Sequence, residues 1–452
     1  MKKTLIAVSL LSAFGVAQAE TSVSLYGRIN VAVEKRSDAG LTMKAQEYRY
    51  ASHVGITGKE DLGKGYSAIF KLEAELEPDT GSGTYGSDKK QFGFNRHAYV
   101  GLVTPFGAFR FGRSTTPIVN LWVGGGFSDG RGIGEFTGGV AGTGLRSTQP
   151  EAAARWNNAL FYDIKKGGLT AGLAITTKGS QSIVPTRQEA VLLGTTTVAP
   201  VTLPVDNEGA DGSKPAYGAY ARYEGKTGMW GYKLGAAYQV DNGTTYSSFI
   251  YNAAGNVYTN NANAPAEGEK TWLVASSLSY GPVNLDIGYA KVDIDNTSLP
   301  TTGGNSLLNS STATNISLRT ADSKTLFASI GYEIDPKNKV YFSYGRYKRT
   351  NNYTFRTNAA GTALLSGVGE LDGSQYSIGY EHRLSKRTVI YANARKVGNL
   401  TNSCTAKTAA GANVAEGSAT YVATCGASKE IVDSVLRTEK DYSYDIGISH
   451  SF

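Results

Sequence analysis

From Ser22 onward the chain alternates apolar and polar residues in segments of about ten. In the opening run, Val23, Leu25, Gly27, Ile29, Val31 and Val33 share one face; Ser24, Tyr26, Arg28, Asn30 and Glu34 share the other. Period two is the signature of a strand with one apolar and one polar face. The pattern recurs in pairs of segments joined by a tight turn, such as Thr104–Gly107 or Asp335–Asn338, and each pair is separated from the next by a long polar loop. Sixteen strands, seven tight turns and eight long loops result. The predicted loops include 296–323 and 351–372. Short turns at one rim, long loops at the other and an even strand number predict an all-β fold. It is a 16-stranded antiparallel transmembrane β-barrel, with short periplasmic turns and long extracellular loops. A sheet in lipid must close, because an open edge would leave backbone N–H and C=O groups unpaired. Aromatic residues near strand ends, among them Tyr26, Tyr99, Phe111, Tyr289, Tyr341, Tyr391, Tyr442 and Tyr444, are candidates for the interfacial girdles.

One stretch follows neither period. Pro117–Glu151 is glycine-rich, shows no helical repeat and no alternation, and lies between two clear strands. A structureless connection of this length inside a compact domain is usually functional or disordered. It is the third long loop, and it is expected to fold into the bore as a constriction loop over 117–151. Asp129, Arg131 and Glu135 are its candidate constriction charges. Selectivity in a wide pore is set by charges at the narrowest cross-section.

Residues 1–19 read as a secretory signal: Lys2 and Lys3, the apolar run Leu5–Ala17, then Ala17-Gln18-Ala19 as the cleavage site. The domain then covers 20–452. No run of 18 apolar residues follows, so no transmembrane helix is predicted. Without Lys2 and Lys3 the formal charge falls from +7 to +5, with basic residues scattered and no basic run, which argues against a nucleic-acid partner. Export to an oxidising compartment makes a Cys404–Cys425 bridge expected. The sequence holds no GxSxG, HExxH or phosphate-cradling loop between strand and helix, and its four histidines are dispersed. No catalytic site, metal or cofactor is predicted.

Several motifs taken together resemble the general trimeric porins of proteobacterial outer membranes, especially the β-proteobacterial type. They are SVSLYGRINVAV, SHVGITGKEDLGKGYSAIFKLE, NRHAYVGL followed by FGAFRFGR, RWNNALFYDIK, LSKRTVIYA and the terminal Phe452. The chain departs from the family pattern at His53 and Thr57, and Gly134-Glu135-Phe136 only approximates a common third-loop motif. The resemblance implies a water-filled barrel, a homotrimer and an inward third loop. It also implies handling by the barrel-assembly machinery through Phe452, in a membrane of lipid and lipopolysaccharide. Strand parity places Arg28, Arg49 and Lys71 on the pore wall. It also places Arg155 there, opposite in parity to Trp156, Asn158 and Leu160. Arg96 and Arg113 are ambiguous in parity, but the resemblance favours arginines there, and a bulge would turn Arg113 inward. The implied function is general diffusion of ions and small hydrophilic solutes with a weak anion preference; a substrate-selective channel on the same barrel is the alternative.

Overall fold

The computed structural model describes residues 21–36, 40–45, 51–83, 93–127, 154–177, 192–193, 196–197, 214–242, 249–251, 269–295, 314–356, 364–398, 401–407, 412–416, 418 and 442–452. Sixteen strands form the barrel. They are β1 (Ser22–Arg36), β2 (His53–Gly63), β3 (Tyr66–Glu77), β4 (His97–Thr104), β5 (Gly107–Thr115), β6 (Arg155–Lys166), β7 (Leu169–Thr176) and β8 (Tyr217–Thr227), followed by β9 (Trp230–Asp241), β10 (Glu269–Tyr280), β11 (Val283–Asp295), β12 (Thr314–Glu333), β13 (Asn338–Arg356), β14 (Leu364–Arg383), β15 (Thr388–Val397) and β16 (Tyr442–Ser451). Each pairs antiparallel with its chain neighbour, and β16 pairs with β1 from Arg28↔Ser451 to Arg36↔Ser443, which closes the sheet. At the seam, the Gly27 and Phe452 backbones exchange hydrogen bonds of 3.2 and 3.0 Å. The predicted architecture is therefore the observed one.

Two boundaries differ from the sequence reading. The predicted loop 296–323 gives way to strand at Thr314, and the predicted loop 351–372 is strand on both sides of 357–363. β12, β13 and β14 thus run 20, 19 and 20 residues, well beyond the roughly ten needed to span the membrane. Beyond the lipid both faces are wet, so the apolar–polar alternation that marks a strand disappears. The backbone ladder persists, however, because each strand still has a partner. Short strands continue the sheet at this height: Phe249–Tyr251 on β12 and Thr401–Lys407 on β14.

The two faces of the wall are as alternation predicts. Val23, Leu25, Ile29 and Val33 are exposed to lipid, whereas Asn30 and Glu34 are buried on the lumen side. Among the girdle candidates, Phe111, Tyr289, Tyr442 and Tyr444 are exposed outward. Tyr26, Tyr341 and Tyr391 instead face the lumen, donating to Glu73 Oε2 (2.7 Å), Asn393 Oδ1 and Asn30 Oδ1 (2.8 Å) respectively. Their rings also cover lumen-facing glycines: a Cβ on Gly379 would meet Tyr341 at 2.2 Å and one on Gly447 would meet Tyr391 at 2.2 Å. An aromatic ring laid over a bare strand backbone supplies the packing that glycine lacks.

Candidate functional site

The third long loop enters the bore directly from β5. Its first residues form a short helix, α1 (Pro117–Trp122), a departure from the expectation of no helical structure there. Pro117 fixes the first helical φ, and Ile118, Leu121 and Trp122 lie at helical spacing on one face. With Phe127 they pack in one buried cluster against Tyr220 on β8, Ala237 on β9, Leu273 and Ala275 on β10, Ala290 on β11 and Phe327 on β12. The seat is cut from small residues. A Cβ on Gly288 would lie 2.4 Å from the Trp122 ring, and one on Gly235 would lie 2.5 Å from Leu121 Cδ1. Trp122 meets Phe327 edge-on, with ring centroids 5.2 Å apart.

Polar contacts fix both ends of this helix. A helix start leaves backbone N–H groups without partners. Here the Ile118 N–H donates to Gln239 Oε1 (3.3 Å), while the Gln239 amide donates to Asp241 Oδ2 (2.7 Å). Asp241 Oδ1 in turn accepts from the Trp156 indole (2.5 Å). At the far end, the Gly124 carbonyl accepts from Arg222 Nη1 (2.8 Å), and the Gly125 and Gly126 carbonyls accept from Lys233 Nζ (3.3 and 3.4 Å). The loop entry is therefore strapped across the bore from β5 to the β8–β12 arc.

A charge cluster occupies the β3–β6 arc. Glu73 is its hub. It accepts from Tyr26, pairs with Lys71 (3.0 Å) and Arg96 (2.6 Å), and lies 4.0 Å from His97. Arg96 also reaches Glu75 at 3.5 Å. Arg110, which strand reading overlooked, pairs with Asp163, donates to Ser114 and sits over the Tyr99 and Phe161 rings at 5.5 and 5.1 Å. Its signal was its parity with the lumen positions Gly112 and Ser114 of the same strand. Tyr220 also donates to Asp163 (2.7 Å), linking this arc to β8.

Arg113 donates to the Asn95 carbonyl (2.7 Å) and to Asn157. The register of β5 against β6 breaks between Gly112 and Ser114, and Asn158 takes a φ of 47°. The bulge lies on β6, opposite Arg113, and it has an effect that parity missed. Two β6 residues, Asn157 and Asn158, stand opposite one on β5; the one extra residue shifts the phase, so Trp156 turns to the inner side with Ala159 and Phe161 and is fully buried; it does not face lipid. Arg155 lies within electrostatic reach of Arg96, Arg113, Glu73 and Glu75. Arg28 sits apart, near the seam, with its Nε 3.2 Å from Ser451 Oγ. Arg49, Asp129, Arg131, Glu135 and Cys425 lie outside the described residues, as does the side chain of Cys404.

In sum, the arrangement is a closed barrel carrying a charged arc and a loop anchored across its interior. Residues 6–402 match the family described as Gram-negative porin. Outer membrane porin protein 32 of Delftia acidovorans is 34% identical over 197 residues, covering 40% of this chain and 52% of the relative. An outer membrane porin protein of Bordetella pertussis is 32% identical over 182 residues, covering 36% of this chain and 44% of the relative. The chain thus spans about half the length of the curated relatives it matches. An anion-selective porin from Comamonas acidovorans superposes with a TM-score of 0.52 at 18% identity, covering 96% of this chain and 100% of its own. OmpT of Vibrio cholerae in its trimer form gives 0.54 at 12% identity, covering 96% and 99%. That family consists of channels, not enzymes, and this chain, a multi-pass β-barrel of the bacterial outer membrane, belongs to the Gram-negative porins.

Proposed function

We propose that this chain forms a water-filled diffusion channel for ions and small hydrophilic solutes, one per subunit of a homotrimer, with a weak preference for anions. One observation carries the selectivity. On the β3–β6 arc Lys71, Arg96, Arg110, Arg113 and Arg155 gather around Glu73, Glu75 and Asp163. Charges in a wet lumen keep their water, so they act on permeating ions through the local field and not through desolvated contacts. The description of one structural neighbour as anion-selective, and the trimer form of another, agree with this reading. We assign residues 117–151 as the constriction loop, with Asp129, Arg131 and Glu135 as its selectivity charges. Residues 1–19 are the export signal, Cys404 and Cys425 bridge an external loop, Arg49 extends the basic wall, and Phe452 is read by the assembly machinery.

The test is the reversal potential of the purified protein in a planar bilayer under a salt gradient. The expected sign is anion-preferring, and combined Arg96→Gln, Arg113→Gln and Arg155→Gln substitutions shift it toward cations. A correctly folded barrel that does not conduct would overturn the channel reading. An unchanged selectivity after Asp129→Asn with Glu135→Gln would remove those two residues from the constriction.

A further inference from the structure

The inward face of β6–β9 ends, toward the short turns, in a second group of cations. Arg222 and Lys233 point into the bore, because they reach carbonyls of the loop entry: Arg222 at Gly124 (2.8 Å), Lys233 at Gly125 and Gly126 (3.3 and 3.4 Å). Lys226 shares their face. It stands opposite Gly231, and a Cβ on Gly231 would lie 3.9 Å from Lys226 Cγ and 2.5 Å from Ser279 Oγ. Lys165 follows Phe161 and Asp163 at spacing two along β6. It stands opposite Thr170, whose partner on the other side is Arg222. Lys165 and Lys226 are exposed.

This group is distinct from the arginines of the β3–β6 arc. Lys165 lies ten residues from Arg155 along β6, or ~33 Å of strand. It is next to the last residue of that strand, at the rim of short turns, which is the periplasmic one. The group therefore lines the periplasmic mouth of the bore.

Its charges lack partners of opposite sign. None of Lys165, Arg222, Lys226 and Lys233 makes an ion pair among the described residues. Glu224, directly opposite Lys233, pairs with none of them. Asp163 is taken by Arg110 and by Tyr220 (2.7 Å). Asp286, two strands beyond Lys233, accepts from Asn284 (2.8 Å) and Ser329 (3.3 Å). Arg222 and Lys233 are thus held by neutral carbonyls alone. A guanidinium offers five donors and an ammonium three, so most of theirs stay free. Arg222 Nε and the Thr170 hydroxyl are buried with no hydrogen-bond partner among the described residues. A hydrogen bond from a cation to an ionised oxygen is about twice as strong as one to a neutral acceptor. An oxyanion is therefore a better partner for this group than anything the described chain supplies.

We infer that Lys165, Arg222, Lys226 and Lys233 form a binding site for inorganic phosphate as its dianion at the periplasmic mouth, a site that rests on the chain being a channel. The full-length protein in detergent is titrated with phosphate by calorimetry, at alkaline pH and constant ionic strength. Single-channel chloride current is then recorded with phosphate added to one side of a planar bilayer at a time. Phosphate is expected to bind more tightly than chloride, and to reduce the current at lower concentration from one side than from the other. Lys165→Gln with Lys226→Gln leaves Arg222 and Lys233 on the loop entry and breaks no ion pair among the described residues. This variant should bind phosphate about tenfold less tightly or worse, the loss of at least one charge-assisted contact, and the asymmetry between the two sides should vanish. A control on other short turns, Lys337→Gln with Lys386→Gln, should behave as the parent. Equal binding by the parent and the Lys165→Gln, Lys226→Gln variant, phosphate binding no tighter than chloride, or an asymmetry that this variant keeps would each overturn the site. A protein that passes chloride without responding to phosphate overturns the site and leaves the channel standing. One that passes no chloride overturns the channel, and the site's place on a solute path with it.

Discussion

Two arcs of the same barrel treat their inner faces differently. On β3–β6 the inward positions are charged: Lys71, Glu73, Arg110, Asp163. On β8–β12 the inward positions around α1 are small or apolar: Gly235, Ala237, Leu273, Ala275, Gly288, Ala290, Phe327. Both arcs obey period two, and both present apolar residues to lipid. The rule that a barrel of this kind is polar inside therefore holds only where water meets the wall. Where the loop lands, the wall behaves as half of a protein core, and its composition is set by the shape of Trp122 and Leu121. The described entry of the loop is held on this second arc and not on the charged one.

The largest test of this contrast is to spoil the seat. Gly288→Leu places side-chain atoms where the Trp122 ring now lies, 2.4 Å from the ideal Cβ position. The ring cannot share that space, so the loop entry should leave the wall while the barrel, whose ladder is untouched, still assembles. Single-channel conductance should rise substantially and selectivity should weaken. Trp122→Ala approaches the same state from the loop side, since emptying a fully packed Trp site costs about 3–5 kcal/mol. If either variant forms trimers with parental conductance, the loop entry is not what narrows the pore.

A smaller effect is expected on the charged arc. Glu73→Gln removes the hub that holds Lys71 and Arg96, leaving Lys71 without its carboxylate and Arg96 with Glu75 alone. Anion preference should increase, opposite in sign to the arginine substitutions, and conductance should change little. The reversal potential reads the sign directly. A shift toward cations would mean that the arc is not what the ions sense.

Much of this was legible in the sequence, for reasons that also explain what was not. Sixteen strands follow from alternation because each transmembrane segment separates lipid from water, and that difference writes itself residue by residue into runs such as Val23 to Glu34. The seven turns were equally plain. The upper ends of β12–β14 were not, because above the lipid both faces meet water and no alternation remains to mark a strand held by its partners. Lys71 and Arg28 were placed by parity alone. Trp156 was misplaced by parity, since the bulge at Asn157–Asn158 changes the phase and leaves no sequence mark stronger than two adjacent asparagines. The helix α1 was hidden by its length: one and a half turns give no period, although Pro117 followed by Ile118, Leu121 and Trp122 carries its start and its face. The seat was not legible at all. Gly235, Ala275 and Gly288 look like ordinary small strand residues until Leu121 and Trp122 are set against them.

The smallest effect is expected at a short turn far from both arcs. Between β12 and β13, Asp335 Oδ1 accepts from the Lys337 and Asn338 backbone N–H groups at 2.7 and 2.9 Å, and the Asn338 side-chain amide donates to Oδ2 at 2.6 Å. The Asn338 side chain, then the two N–H groups, hold this carboxyl below its ordinary range. A carboxylate with a depressed folded value stabilises the turn above its unfolded range, and that contribution is lost as pH falls through the folded value. Asp335→Ala should therefore lower the unfolding temperature slightly at neutral pH, and the gap to the parent should shrink as the solution is acidified. Asp335→Asn, which keeps an acceptor for the two N–H groups but carries no charge, should fall between them at neutral pH and meet the parent in acid. A gap between Asp335→Ala and the parent that is independent of pH would assign the turn's stability to shape alone and remove the carboxylate's charge from it.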